Sequence, residues 1–366
     1  MITSDLNLGY QKETIPALPS KNLEDYFYNI PSTAGTNSIM TLLGNANDLE
    51  TYKIRHKLIN HNTTVEVKAE DNARAIITKN ENTELIIELN AEKAIGYNKG
   101  VKKVFVYILY KLSKQQITEN LFEDKSLEFS LRELVEIGLY KNIDTARVGF
   151  NNAVETLTSL KVKGLIKDKI EQKKITEGNL TEVLFTGANV INGNCVIYLN
   201  QRINWPVFAL LYFAPLPKTY FSLGTKPSDL MYYIFTQARI RKNEIAKKGS
   251  FTIKLRTIQQ ELGLISEKNT KSPTDKIKNP ILKAVEDVNK AIDNPDFYIT
   301  VDYDKNGTIK DFLDNGYITV YMKGEFSKHL IEIAENQKTK IKALADRKEG
   351  IAKEAKIRAL TENNTK

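Results

Sequence analysis

One pattern occurs twice and constrains this chain more than any other feature. An apolar helix, a short strand, a short helix and a longer polar-faced helix are followed by a β-ribbon. The first copy runs from about Gly100 to Leu199, with Ser126-Leu-Glu-Phe-Ser-Leu-Arg-Glu-Leu-Val-Glu-Ile-Gly138 at its centre and Asn142 to Leu160 after it. The second runs from about Pro227 to Met322, with Ser250-Phe-Thr-Ile-Lys-Leu-Arg-Thr-Ile-Gln-Gln-Glu-Leu-Gly263 and then Thr274 to Ile292. The expected fold is α+β: two tandem winged-helix domains, an N-terminal β-containing extension and a C-terminal charged helix. The expected boundaries are 1–95 (arm and small β region), 96–199 (first winged helix), 200–224 (packed connector), 225–326 (second winged helix) and 327–366 (charged helical tail).

Local signals place the elements. Residues 1–40 are polar, with Pro16, Pro19 and Pro31, and read as a poorly ordered arm. Thr63 to Ala69, Ala73 to Thr78 and Thr83 to Leu89 read as strands, either a sheet of their own or an extension of the next domain. Val101 to Ser113 is a thick apolar helix, and Leu127 to Leu131 alternates as a strand. Ser130 stands three residues before Glu133 in capping-box spacing, and Gly138 ends the short helix. Asp144 is the expected cap of the next helix. There Ala146, Phe150, Ala153, Val154, Leu157 and Leu160 share one face, leaving Thr145, Arg147, Asn151, Glu155 and Thr158 on the other. Val162 to Lys174 and Glu182 to Leu199 are expected to pair as a wing, with Lys173, Lys174 and Gly178 near its tip.

The connector carries Trp205, Pro206, Phe208, Tyr212, Phe213, Pro215, Pro217, Tyr220 and Phe221, which argues for packing rather than a free linker. The second copy then offers a helix from Ser228 to Lys242, a strand from Phe251 and a short helix stopped by Gly263. After a flexible stretch from Ser266 to Ser272 comes a long helix with Ile277, Ile281, Val285, Val288 and Ile292 inside. Pro280 makes that helix start later than Thr274 or kink. Phe297 to Asp302 and Gly316 to Met322 are expected to form a hairpin around Asp304-Lys-Asn-Gly307.

Composition narrows the function classes. No stretch approaches the roughly 20 apolar residues of a membrane span, and no basic-then-apolar leader opens the chain. The single cysteine, Cys195, excludes an internal disulfide framework and a cysteine metal site, so a cytoplasmic location is expected. The histidines His56, His61 and His329 do not form the His-hydrophobe-His pair of a nicking enzyme. Phosphate loops, nucleophile elbows, paired His-Glu zinc motifs and calcium loops are absent from the sequence. No catalysis and no cofactor are expected. The net charge of +8 and pI near 9.1 favour a polyanionic partner.

A helix ~10–12 Å across fits the ~12 Å major groove, where Arg reads guanine and Asn reads adenine. Arg147, Asn151 and Asn152 suit a first reading helix. Lys271, Ser272, Thr274, Lys276, Lys278, Asn279 and Lys283 crowd the entry of the second, where lysines hold phosphate rather than specify sequence. Lys173, Lys174, Lys305 and Lys310 are the expected wing contacts.

The order of elements resembles the Rep_3-type plasmid replication initiators over about Gly100 to Phe326. Three segments carry the resemblance: Pro227-Ser-Asp-Leu-Met-Tyr-Tyr-Ile-Phe-Thr-Gln-Ala-Arg239, Phe251 to Gly263, and Ile277-Lys-Asn-Pro-Ile-Leu-Lys-Ala-Val-Glu-Asp-Val-Asn289. It implies a DNA-binding initiator that reads repeated sites in double-stranded DNA and recruits a host helicase or initiator protein. A homodimer is a further expectation, a membrane role is not, and a winged-helix transcriptional or partition regulator is the alternative. The ninety or so residues before the first copy and the Pro- and aromatic-rich connector depart from the family pattern.

Overall fold

The computed structural model describes residues 26–33, 36–37, 39–40, 43, 53–58, 61–70, 73–80, 83–90, 100–115, 126–167, 172–174, 182–203, 213–264, 267–324 and 326–332. Its first strand, β1 (Phe27–Pro31), lies inside the segment expected to be an arm. Phe27 and Ile30, three apart and so on opposite faces of the strand, are both buried, so the arm reading does not hold for β1; residues 1–25 lie outside the described residues. The strands β2 (Lys53–Leu58), β3 (His61–Glu70), β4 (Ala73–Asn80) and β5 (Thr83–Asn90) form an antiparallel meander.

The first repeat opens with α1 (Val101–Gln115), then β6 (Ser126–Ser130), α2 (Leu131–Glu136) and α3 (Ile143–Leu157). An excursion follows, β7 (Lys161–Lys167), β8 (Gln172–Lys174) and β9 (Glu182–Val183), and then the pair β10 (Phe185–Ile191) and β11 (Asn194–Leu199). The expected pairing of Val162 to Lys174 with Glu182 to Leu199 forms only at its start, where β7 meets β9 with Val162 opposite Glu182. β7 pairs with β5 and β8, so the meander continues into one seven-stranded sheet built on the first repeat. β10 instead pairs with β11 across Asn192-Gly193, whose positive φ values of 50° and 81° suit a two-residue hairpin turn. β6 completes a three-stranded sheet in the order β10-β11-β6.

β12 (Phe213–Pro217) runs antiparallel to β1, from Phe27 opposite Pro217 to Pro31 opposite Phe213. A 3-10 turn at Lys218–Phe221 buries Tyr220 and Phe221, the packing expected of the connector; Trp205, Phe208 and Tyr212 lie outside the described residues. The second repeat contains α4 (Thr225–Ile240), α5 (Lys242–Lys248), β13 (Ser250–Lys254), α6 (Leu255–Glu261), α7 (Asn279–Ile292), β14 (Phe297–Asp302), α8 (Ile309–Asn315) and β15 (Tyr317–Met322). Its sheet order is β13-β15-β14. In both repeats the last strand is therefore central, between its hairpin partner and the strand that precedes the short helix. A short helix, α8, replaces the expected tight turn between β14 and β15. Of the expected charged tail, residues 327–332 are described and are helical.

The two repeats are joined through their opening helices. Lys102 in the first turn of α1 forms a 3.0 Å ion pair with Asp229 of α4, with side chains only 8% and 6% exposed. Lys103 donates to the carbonyls of Phe221 and Leu223, just before α4. Tyr26 donates to the Ile292 carbonyl at the end of α7, and Tyr232 of α4 donates to Asn37. No helix among the described residues is long and apolar enough to cross a membrane.

Burial pushes the Lys103 ammonium down to about 8, partly opposed by the Asp229 carboxylate. The unfolded chain keeps that proton up to the ordinary value of 10.5, so across the window it binds more protons than the folded chain. Stability from this group is therefore gained as pH rises from about 8 towards 10. Burial of Cys195, whose thiol is pushed up to about 12, acts in the opposite direction from pH 9 upwards. Comparison with Lys103→Met isolates the lysine. Between pH 7 and 9.5 the parent should gain roughly 2 kcal/mol on that variant in urea unfolding. A gap independent of pH would mean that the ammonium reaches solvent.

Candidate nucleic-acid interface

The most exposed helical surface of the first repeat is the outer face of α3. Asn142, not Asp144, caps it: the Thr145 N–H donates to Asn142 Oδ1 at 2.9 Å, and the Asn142 N–H donates to Thr145 Oγ1 at 3.3 Å. Both residues can cap, and the reciprocal bond favours the earlier one. The Ser130–Glu133 capping box of α2 forms as the spacing implied, and Glu133 also accepts from Tyr107 and Lys111 of α1. These three bonds hold the Glu133 carboxyl below the ordinary carboxylate range in spite of its partial burial.

Inside α3, Ala146, Gly149, Phe150, Ala153, Thr156 and Leu157 are buried, and Phe150 meets Phe129 of β6 edge-on at 5.6 Å. Gly149 lets the Tyr140 ring lie against the helix; a Cβ there would come within 2.3 Å of a ring carbon. Outside, Asp144, Thr145, Arg147, Val148, Asn151, Asn152 and Glu155 are exposed. Arg147, Asn151 and Asn152 therefore share the accessible face as expected. Sequence reasoning passed over Val148, and also Arg132 and Lys141, exposed on α2 and on the loop before α3.

The hairpin belonging to this repeat is β10–β11, whose Gly193 carbonyl accepts from the Leu131 N–H at 2.8 Å. Its turn is thereby fixed to the start of α2. Lys173 and Lys174 are not on it; they pair with Ile166 and Leu165 in the seven-stranded sheet. Gly178 lies outside the described residues.

In the second repeat a π-helical turn at Thr274–Lys278 runs into α7. Pro280 has no N–H for the Lys276 carbonyl, and the wider turn absorbs the gap, with the Asn279 N–H donating to the Thr274 carbonyl. Asn289 stitches α7 to β14, donating to the Ile299 carbonyl and accepting from its N–H, both at 2.9 Å. That double bond fixes the angle between the long helix and the hairpin. Arg256 of α6 forks between Glu267 at 2.8 Å and Asp314 at 2.7 Å, so the stretch expected to be flexible is tied down at Glu267.

Lys271, Ser272, Thr274, Lys276, Asn279, Lys283, Lys305 and Lys310 are exposed. Lys278 differs: its ammonium lies 4.5 Å from the Tyr303 ring centre and 5.6 Å from that of Phe312. A cation held over two aromatic faces braces the π turn against α8 rather than reaching outward. Asn279 donates to Asp275 Oδ1 at 3.2 Å, which partly occupies it. The exposed lysines thus gather around the π turn and α8, whereas Asp144 and Glu155 offset Arg147 on α3. Among the described residues, exposed positive charge belongs mainly to the second repeat.

No family model matches the chain, and a search of curated proteins finds no match. Among solved structures, the selenomethionine derivative of domains 2 and 3 of RctB is similar with a TM-score of 0.42 and 8% identity, covering 78% of this chain and 99% of that one. A second crystal structure of RctB domains 2–3 gives a TM-score of 0.42 and 8% identity over 72% of this chain and 95% of the other.

Proposed function

We propose that the chain is a sequence-specific double-stranded DNA-binding protein that initiates replication of a plasmid or mobile element. In this reading residues 96–199 and 225–326 are winged-helix domains, and α3 and α7 are their reading helices. The chain binds repeated origin sites, without chemistry of its own, and brings in host replication proteins. The observation that carries the reading is the repeat itself: helix, strand, short helix, long helix and hairpin recur with the same sheet order, and a buried ion pair fixes their opening helices together. Two long helices held in one relation suit two groove segments of one duplex. The sequence resemblance to Rep_3-type initiators supports initiation over regulation.

The division of labour follows from the surface. Arg147 and Asn151 on α3 supply base-reading chemistry, whereas Lys276 and Lys283 supply positive charge without a readable pattern. Arg147→Ala and Asn151→Ala should each weaken a preferred site by about 1–3 kcal/mol while leaving random DNA nearly unaffected. Lys276→Ala with Lys283→Ala should weaken all DNA alike and lower the salt slope by about 2. Equal losses on both DNAs for the α3 variants would remove α3 from base readout.

The test of the function is a titration against the DNA flanking the chain's own gene, with random competitor, at two salt concentrations. Stepwise shifts on direct repeats, followed by origin opening, support initiation. One shifted species on a single palindrome points to a regulator, and no binding at low salt rejects DNA as the ligand.

A further inference from the structure

Val148 is the most exposed large apolar side chain among the described residues, at 62%. It lies in the middle of α3, not at an end, on the side directly away from buried Phe150 and Leu157. Helical spacing puts Asp144 one turn before it and Asn151 and Asn152 one turn after it, all exposed. Folding gives little reason for this choice: a β-branched residue on the solvent side of a helix loses side-chain freedom and buries little area. The other exposed apolar residues have simpler settings. Ile143 opens the helix, Ile191 flanks the hairpin turn, and the exposed tyrosines carry a polar tip.

We infer that Val148 reads the 5-methyl group of a thymine while Asn151 reads the adenine of the same or the neighbouring base pair. The inference rests on the reading of α3 as a groove-reading helix and adds to it the composition of the site. In the major groove thymine alone presents a methyl group, and adenine presents the N6 and N7 pattern that an Asn amide matches with two bonds. An apolar branch one turn from that amide is therefore suited to an A·T step and gains nothing from an unmethylated cytosine. The acidic neighbours Asp144 and Glu155 disfavour close phosphate contact, which suits a helix face whose centre meets base edges.

Thymine differs from uracil by this methyl alone, so the duplex itself provides the test. The full-length chain selects duplexes from a random pool, and the preferred site is resynthesised with deoxyuridine replacing one thymine at a time. At one thymine the parent should lose roughly three- to fivefold in affinity, the value of one methyl removed from water. Val148→Ala, which favours the helix, should bind the thymine duplex more weakly by a similar factor and ignore the uracil swap. Sequence preference without any uracil effect overturns the inference and leaves the DNA reading standing. A uracil effect that persists in Val148→Ala assigns the methyl to another residue and also overturns it. Selection that yields no preferred sequence overturns the reading on which it rests.

Discussion

Asp229→Ala should cost the folded chain about 3–5 kcal/mol in urea unfolding. The variant leaves Lys102 buried without its carboxylate, 3.0 Å away in the parent, and strips Lys103 of its nearest favourable charge. Both lysines sit in the first turn of α1, which holds no acidic residue, so the positive end of the helix dipole adds to the penalty. The same pair would contribute little at the surface; burial of both partners makes the loss large. Removing both charges is a different experiment. Lys102→Met with Asp229→Leu should recover most of the loss, because the cost comes from the orphaned ion rather than from the missing attraction. A loss below about 1 kcal/mol in Asp229→Ala would mean that water reaches the joint. The result bears on the proposed function as well as on stability, because that reading needs the two repeats held in one relation.

What the sequence made legible was local. The capping box of α2, the Gly138 stop, the inner stripe of α7 and the three strand runs of the N-terminal region all depend on residues within a few positions of one another. Partnership was not legible. A β-prone run from Val162 to Ile166 marks a strand, not that β5 rather than β10 lies alongside, so the expected wing pairs the right strands only at Val162 and Glu182. One signal was present and passed over: Asn192-Gly193, whose residue types suit the positive φ values that close β10 onto β11. β1 was hidden by the prolines and polar residues before it, and its partner β12 lies in the other half of the chain. At the candidate interface the residue types were readable, but their orientation was not. Lys278 reads as one more phosphate contact until Tyr303 and Phe312, distant in sequence, take its ammonium. Val148 carries no signal in the sequence, where isolated exposed apolar residues are common; its place at the centre of a polar face appears only once the helix is built.

Phe27→Ala is the other large expected loss, also about 3–5 kcal/mol. The ring is 7% exposed and sits in a cluster drawn from three parts of the chain. Its centre lies 6.0 Å from Phe235 of α4, 5.2 Å from Phe326 and 5.5 Å from the His329 ring, and Tyr26 meets it edge-on at 5.0 Å. Few of these neighbours can follow a retreating side chain. Phe235 is stacked on Phe297 at 5.7 Å, and the β1–β12 ladder fixes the backbone on the other side. The cavity should therefore stay open, which puts the cost at the upper end for an aromatic truncation. Phe27→Leu, which refills most of the volume, should return more than half of the loss. A cost under about 1 kcal/mol for Phe27→Ala would make β1 a strap laid over a core already closed without it. The expected cost instead makes residues 26–31 part of the second repeat's core while their ladder partner leads into its first helix. The N-terminal segment would then be one of the parts that fix how the two repeats are held together.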